Sequence, residues 1–454
     1  MQTRRVDWTA GRSWTCYLAA VSKQDLKPPR GTRDVYPEDL RFREWLFDHF
    51  RKIAHRFAFE EVDAPIVEHA ELFMRKAGEE IVDQLYHFEL HGRHLALRPE
   101  MTPSVARMVM ARAGGIRFPI RWFTITQNWR YERMTRGRKR EHYQWNMDIY
   151  GEPDVSAEAE LIAAVIALVD AVGLAKGDVK IRLNSRSLLE ESLRAGALKG
   201  RPEAFEPLCV VIDKIGKIGP DKVVDMLVDK AGAIGLEPSA ARDVVQMLSI
   251  SKLDDAIDAA PKASKAALEL QRLWRLLEAY GIEDRIVFDA SVVRGLAYYT
   301  GVVFEAFDSD GDLRSICGGG RYDGLTATLG GQSIPAVGFG FGDVVIAELL
   351  SDKDCLPAVP RVLDAVVYAF EEAQRPSAIE VAGRLRAAGH RVELVLGSPK
   401  LKRVIADADR NGAKQLFMLG PDELARGVVK RRDLGTGVES EEPIADFAPG
   451  PPQR

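Results

Sequence analysis

Only four cysteines occur in 454 residues, and none forms a CxxC pair, which excludes both a disulfide framework and a thiolate zinc site. Cys16, Cys209, Cys317 and Cys355 stand isolated, which fits a reducing cytosol and a cytoplasmic protein. Long apolar runs are also missing. The longest, around Ala163 to Ala175, is broken by Asp170 and is too short to span a bilayer, so no membrane partner is expected. Charge of one sign is lacking too: 63 basic residues face 67 acidic ones, a formal net charge of −4. Any nucleic-acid contact must therefore come from a local basic patch. No strand-to-helix GxGxxG and no Walker lysine are present, which excludes the nucleotide folds built on them. His87, His91 and His94 sit on a polar hairpin tip without a cysteine or acidic partner at ligand spacing, so no metal site is expected there. Residues 1–29 scatter Arg4, Arg5, Arg12 and Lys23 among small and polar residues, without the apolar core of a signal peptide. They read as a disordered tail or an over-long start.

What is present is a patterned chain. Gly31-Thr32-Arg33-Asp34 and Pro37 make a turn-rich entry, and Leu46, Phe50, Ile53 and Phe57 then recur as one helical stripe. Phe59 to Val67 reads as a strand broken by Pro65, at an edge or interface. Tyr86 to Leu97 alternates around His91-Gly92-Arg93 as a hairpin, and a helix starts near Pro103. Ile120–Trp129 and Gln144–Tyr150 read as strands, followed by an apolar helix over Ala157–Val172. From Ser185 to Ile282 the texture is helical, and strands resume from Ile286 to about Ala347. The prolines at 357 and 360 mark a linker. Beyond it, strand, helix, strand, helix and strand alternate to Leu419, with Gly389 and Gly412 as helix stops, a small α/β domain with a parallel core.

Four segments carry chemistry. In Arg98-Pro99-Glu100-Met101-Thr102, a carboxylate and a hydroxyl two residues apart on a strand would share a face suited to an ammonium group, or form a surface salt bridge. Arg130 leaves a strand flanked by aromatics and leads into the basic loop Arg136-Gly137-Arg138-Lys139-Arg140, while Gln144 and Asp148 share a face of the return strand. Such a pair suits a polyphosphate on the strands and a nucleic-acid end at the loop, or is a solvated charged turn. Arg294-Gly295-Leu296-Ala297-Tyr298-Tyr299-Thr300-Gly301 sets an arginine and two tyrosines beside glycines, either a ligand-facing turn or a packed surface hairpin. Gly318-Gly319-Gly320-Arg321-Tyr322 adds backbone freedom, and Gly338-Phe339-Gly340-Phe341-Gly342 either lets an adenine ring lie on the sheet or lets strand and helix pack closely.

Together these segments, from Gly31 to about Asp433, resemble the histidyl-tRNA synthetases, a class II aminoacyl-tRNA synthetase family. Gly31–Asp34 looks like the family's opening motif, Pro65 the proline of the dimer-forming motif 1, and Arg130–Asp148 motif 2; Arg294–Gly301 and Gly318–Tyr322 are similar to its two histidine motifs. The resemblance implies an α+β catalytic domain with a mainly antiparallel sheet flanked by helices, over 30–184 and 286–351. A helical insertion at 185–285, a linker at 352–361, an anticodon-binding α/β domain at 362–440 and a tail at 441–454 complete the expected plan. It implies a homodimer acting on L-histidine, ATP with Mg2+ and tRNA(His), through histidyl-adenylate.

It also implies site residues. Glu100, Thr102 and Gln144 would hold the α-ammonium, and Asp148 and Tyr299 the imidazole, with Tyr298 and Tyr322 closing the pocket. Arg130 would bind carboxylate and α-phosphate with Arg294 as catalytic cation and Gln144 beside them. ATP would meet Arg130, Glu132, Arg138, Arg140, Gly340 and Gly342, and the tRNA acceptor end Arg133, Thr135, Arg136 and Arg140. Three departures stand out: Val345 replaces the motif 3 arginine over the γ-phosphate, Ala297 an aspartate, and Thr135 a loop glutamine that touches the tRNA 5′ end. Either another cation, Arg138 or Arg140, substitutes for the motif 3 arginine, or ATP is bound in a different way. A synthetase-like regulatory subunit of ATP phosphoribosyltransferase fits the lost arginine; retained Arg130, the Arg294–Gly301 segment and the C-terminal domain fit the ligase better. A pure RNA-binding protein on this scaffold would need no histidine pocket.

Overall fold

The computed structural model of the chain describes residues 26–74, 82–229, 232, 234–293, 298–311 and 313–446. The expected tail at 1–29 lies outside them except for its last four residues, as do Arg294 and Ala297. Two compact units divide the chain, one holding Arg43–Leu356 and the other Pro357 onward with Tyr36–Phe42.

In chain order the first unit's strands are β1 (Glu60–Glu61), β2 (Val67–His69), β3 (His87–Leu90), β4 (Arg93–Leu97), β5 (Ile120–Trp129) and β6 (Glu141–Tyr150). Then follow β7 (Val179–Ser185), β8 (Ile286–Phe288), β9 (Val302–Asp308), β10 (Cys317–Arg321) and β11 (Ala336–Gly342). Eight of them form one sheet, β1-β5-β6-β11-β10-β9-β7-β8, antiparallel except at its two edges. The remaining three form a small sheet, β2-β4-β3. The segment Phe59–Val67 is therefore not one strand. Its start pairs with β5 and its end with β4, because Pro65 between them has no N–H to give a ladder.

The strands at the sheet centre are buried on both faces over much of their length. On β6, Trp145 stacks on Phe50 of the Pro37–Arg56 helix with ring centroids 5.1 Å apart, and Phe339 and Phe341 of β11 meet the same indole edge-on. Across the sheet, Arg321 of β10 makes a bidentate pair with Glu158 of the Ser156–Ala171 helix, both contacts 2.6 Å. Glu158 is fully buried. Breaking a buried pair from one side strands the other charge. Glu158→Gln is expected to lower unfolding free energy by about 3 kcal/mol, read from urea denaturation. A loss under about 1 kcal/mol would mean that the carbonyls of Glu152 and Asp154, which Arg321 also reaches, suffice.

Between β7 and β8 the chain is helical, and Leu193, Leu208, Ile212, Val223, Leu227 and Val244 build a separate apolar core. The last helix of this stretch, Lys265–Ala279, instead packs on Ser156–Ala171.

The second unit adds β12 (Leu363–Ala369), β13 (Val392–Leu394), β14 (Ala413–Leu419), β15 (Val428–Asp433) and β16 (Glu439–Pro443), ordered β13-β12-β14-β15-β16. The first three are parallel and carry helices Arg375–Ala387 and Leu401–Arg410 as crossovers. The antiparallel pair β15–β16 corrects the expected end at 440. The expected tail begins at 441, yet Arg431 and Lys430 of β15 hold Glu442 and Glu439 of β16 across the ladder, and Arg426, just before β15, holds Glu441. No helix among the described residues is long and apolar enough to cross a membrane.

Candidate active site

Register builds the floor of the site. Gly338, Gly340 and Gly342 of β11 lie opposite Asp148, Asn146 and Gln144 of β6, so the glycines and the polar residues share a face while Phe339 and Phe341 face the core. On the other side Gly340 and Gly338 pair with Gly318 and Gly320 of β10. Gly338, Gly340 and Gly320 are needed for space, not for backbone freedom, whereas a Cβ on Gly342 would meet nothing. A Cβ on Gly340 would stand 3.2 Å from the Gln144 amide, one on Gly320 3.0 Å from the Tyr299 ring, and one on Gly338 would overlap the Asp148 carboxylate. A cavity of about 230 Å³ lies over this floor.

One end of the cavity is closed by polar groups on aromatic supports. Tyr322 donates its hydroxyl to Asp148, and burial pushes the Asp148 carboxyl up to about 7 despite that bond. Tyr298 donates to Glu100 at 3.1 Å. Burial holds both phenols well above their ordinary pKa, so they remain donors. The rings of Tyr298, Tyr299 and Tyr322 stand within 4.9–6.5 Å of one another. Glu100 and Thr102 do meet here, but not as strand neighbours: β4 ends at Leu97, Glu100 follows in a loop, and Thr102 opens the helix Thr102–Arg112. Gln144 accepts from Asn128 at 3.1 Å, which turns its amide nitrogen to the floor.

The other end is cationic. Arg130 anchors its Nε on the Pro99 carbonyl at 2.9 Å, with Glu100 and Glu132 flanking its Nη atoms at 3.9 and 3.8 Å. Arg138 pairs with Glu132 at 2.6 Å. His142, in the same wall, is held neutral: burial first, then Arg130, Arg314, Arg33 and Arg138, press its pKa down to about 3. Arg33 of the entry motif clamps this end from behind, binding Glu141 at 2.7 Å and Asp343 at 3.2 Å, while Asp343 accepts from the Tyr143 N–H.

Among the residues assigned to ATP, Arg140 is not on the cavity wall. Its stem packs over Gly31, where a Cβ would meet it at 2.7 Å, and its guanidinium lies 3.6 Å from the Tyr131 ring centroid. In the basic loop Arg133 and Thr135 are exposed, and Arg136 is paired with Glu348 and Asp352 of the helix Asp343–Asp352.

Asn146, His142, Glu305 and Arg314 line the cavity without having been singled out in the sequence. Period two on β6 marks Asn146 and His142, since they continue the Gln144–Asp148 face. Asn146 Oδ1 is buried without a hydrogen-bond partner among the described residues. Arg314 carried no signal, being one charge in a turn before a glycine run.

Comparison with known proteins gives the family and the fold. The family model described as histidyl-tRNA synthetase matches residues 31–342, and one described as an anticodon binding domain matches 364–449. A chloroplastic/mitochondrial histidine–tRNA ligase of Arabidopsis thaliana is 48% identical over 445 residues, covering 96% of this chain and 90% of the relative. The histidine–tRNA ligase of Opitutus terrae is 40% identical over 418 residues, covering 91% and 95%. The fold matches the crystal structure of histidyl-tRNA synthetase from Nostoc sp. PCC 7120 with a TM-score of 0.72 at 23% identity, covering 93% and 98%. It also matches an ATP phosphoribosyltransferase regulatory subunit/histidyl-tRNA synthetase from Bacillus halodurans, TM-score 0.70 at 23% identity over 87% and 98%. With the family model spanning most of the catalytic unit and close relatives spanning nearly the whole chain, the protein belongs to the histidyl-tRNA synthetase family.

Proposed function

We propose that the chain is a histidine–tRNA ligase, which activates L-histidine with ATP and passes it from the adenylate to the 3′ end of tRNA(His). The observation that carries this reading is the buried Asp148–Tyr322 pair beside Tyr299, over paired glycines and next to Arg130. A carboxylate and a phenol on one floor suit the two nitrogens of an imidazole. Glu100, Thr102 and Gln144 then take the α-ammonium, and Arg130 the carboxylate and the α-phosphate. Glu132, Arg138, Gly340 and Gly342 belong to the ATP side, and Arg294 is the cation at the α-phosphate.

Attack by the histidine carboxylate needs no side-chain nucleophile. Mg2+ enters with ATP, and the Glu132 and Glu305 carboxylates on the cavity wall are the hard oxygen donors suited to it. Arg133, Thr135, Arg136 and Arg140 face the tRNA acceptor end, the helical stretch between β7 and β8 clasps the acceptor arm, and the C-terminal unit reads the anticodon. A homodimer through motif 1 would cover Ile66, Val67, Phe88 and Leu90, which are exposed on or beside the small sheet. Cys209, Cys317 and Cys355 form no disulfide among the described residues, which suits the reducing cytoplasm. The regulatory-subunit reading is not favoured, since the relatives matched over most of the chain are named ligases.

Histidine-dependent exchange of pyrophosphate into ATP is the test. The wild type is expected to exchange and Arg294→Ala to lose most of the rate; no exchange from folded wild type would overturn the ligase reading.

A further inference from the structure

Val345, in the motif 3 position normally held by an arginine, lies on the cavity wall beside Gly137 of the basic loop. A Cβ built on Gly137 would stand 3.3 Å from Val345 Cγ2 and 3.6 Å from Arg314 Cγ, so these three residues share one corner. Arg314 arrives from a different element, the connection between β9 and β10, and its side chain also lines the cavity. Its charge acts on this corner, for it is second only to Arg130 among the cations that keep His142 neutral. Of the two substitutes offered by the sequence, Arg140 packs on Tyr131 and Gly31 outside the cavity, while Arg138 is on the cavity wall beside Glu132, with which it pairs at 2.6 Å.

Resting on the ligase reading, we propose that Arg314 binds the terminal phosphates of ATP from the β9–β10 connection, in place of a cation at Val345. A triphosphate tail needs cations from more than one side. Arg130 takes the α-phosphate side of the corner, and Arg314 the β- and γ-phosphate side. As a histidine carboxylate oxygen bonds to the α-phosphorus, the bond from that phosphorus to the α–β bridging oxygen breaks. The electron pair leaves with pyrophosphate, and Arg314 stabilises that departing charge. No proton has to move. Val345 follows from the same geometry, because a second guanidinium in this corner would repel the first.

The test is pyrophosphate exchange by the full-length chain with MgATP varied at saturating histidine. Arg314→Ala and the stem-preserving Arg314→Gln are both expected to lower kcat/KM for ATP about ten- to a hundredfold, with KM for histidine nearly unchanged. Adding Val345→Arg to Arg314→Ala is expected to restore much of the loss, since a new guanidinium then enters the same corner. Equal ATP parameters in wild type and in both Arg314 variants would overturn the inference while leaving the ligase reading intact. So would a loss that falls on histidine KM instead of ATP, or one that Val345→Arg does not repair in a folded double variant. A wild type without exchange would overturn both.

Discussion

Asp148→Asn is expected to cut kcat/KM for histidine about a thousandfold in pyrophosphate exchange, with KM for ATP little changed. A site built to hydrogen-bond a substrate nitrogen loses this much when the bond cannot form, because the remaining buried groups are left unmatched. Asn keeps the size and one acceptor but loses the charge, and it can turn its NH2 toward the imidazole. The floor leaves it little room to adjust, since Gly338 beneath it and Tyr322 beside it are both in contact. A fall of under about tenfold would remove Asp148 from the imidazole.

The pH dependence separates this role from a packing role. Burial raises the Asp148 carboxyl from 3.8 to about 7, and the Tyr322 hydroxyl pulls it back toward ionisation. In the proposed ligase the ionised form would accept the imidazole N–H, so kcat/KM for histidine should rise through about pH 7 and then level. Tyr322→Phe removes a donor that favours the carboxylate, so that limb should shift to higher pH; a shift to lower pH would contradict the assignment. Stability runs the other way. A folded pKa above the unfolded one gives stability that is present in acid and lost as pH rises through about 7. The melting temperature of Asp148→Asn, relative to wild type, should therefore increase between pH 4 and pH 8.

How the site was legible depends on which residues are read together. Gln144 and Asp148 were visible because period two on a strand puts every second residue on one side, and β6 obeys it without a bulge. Glu100 and Thr102 were paired for the wrong reason: the proline at 99 ends the strand, and a loop and a helix start bring them together instead. The Gly/Phe alternation of β11 was ambiguous because its meaning lies in the neighbours. Only pairing with β6 and β10 shows the glycines opening the floor and the phenylalanines closing the core. Arg314 was hidden for a related reason. Its value comes from Gly137 and Val345, which lie far from it in the chain and next to it in space. In the C-terminal unit, the β15–β16 pair was lost to its acidic surface, since cross-strand ion pairs have no periodic apolar signature.

The second large effect is expected at Arg130. Arg130→Ala should lower kcat for adenylate formation roughly a thousandfold, and Arg130→Lys should recover only a minor part. The guanidinium is held on three sides, by the Pro99 carbonyl and by Glu100 and Glu132, so its orientation is set before substrate arrives. A lysine ammonium has no Nε to anchor on Pro99 and cannot fork across a carboxylate and a phosphate. Removing the arginine also leaves Glu100 and Glu132 facing the phosphates without their shared cation, which adds repulsion to the lost attraction. The ATP dependence should thus worsen together with kcat, whereas Asp148→Asn spares ATP. Both variants can be checked for folding by thermal melt. If Arg130→Ala kept a tenth or more of the wild-type rate, the cationic end of the cavity would have to act through Arg138 and Arg314 instead.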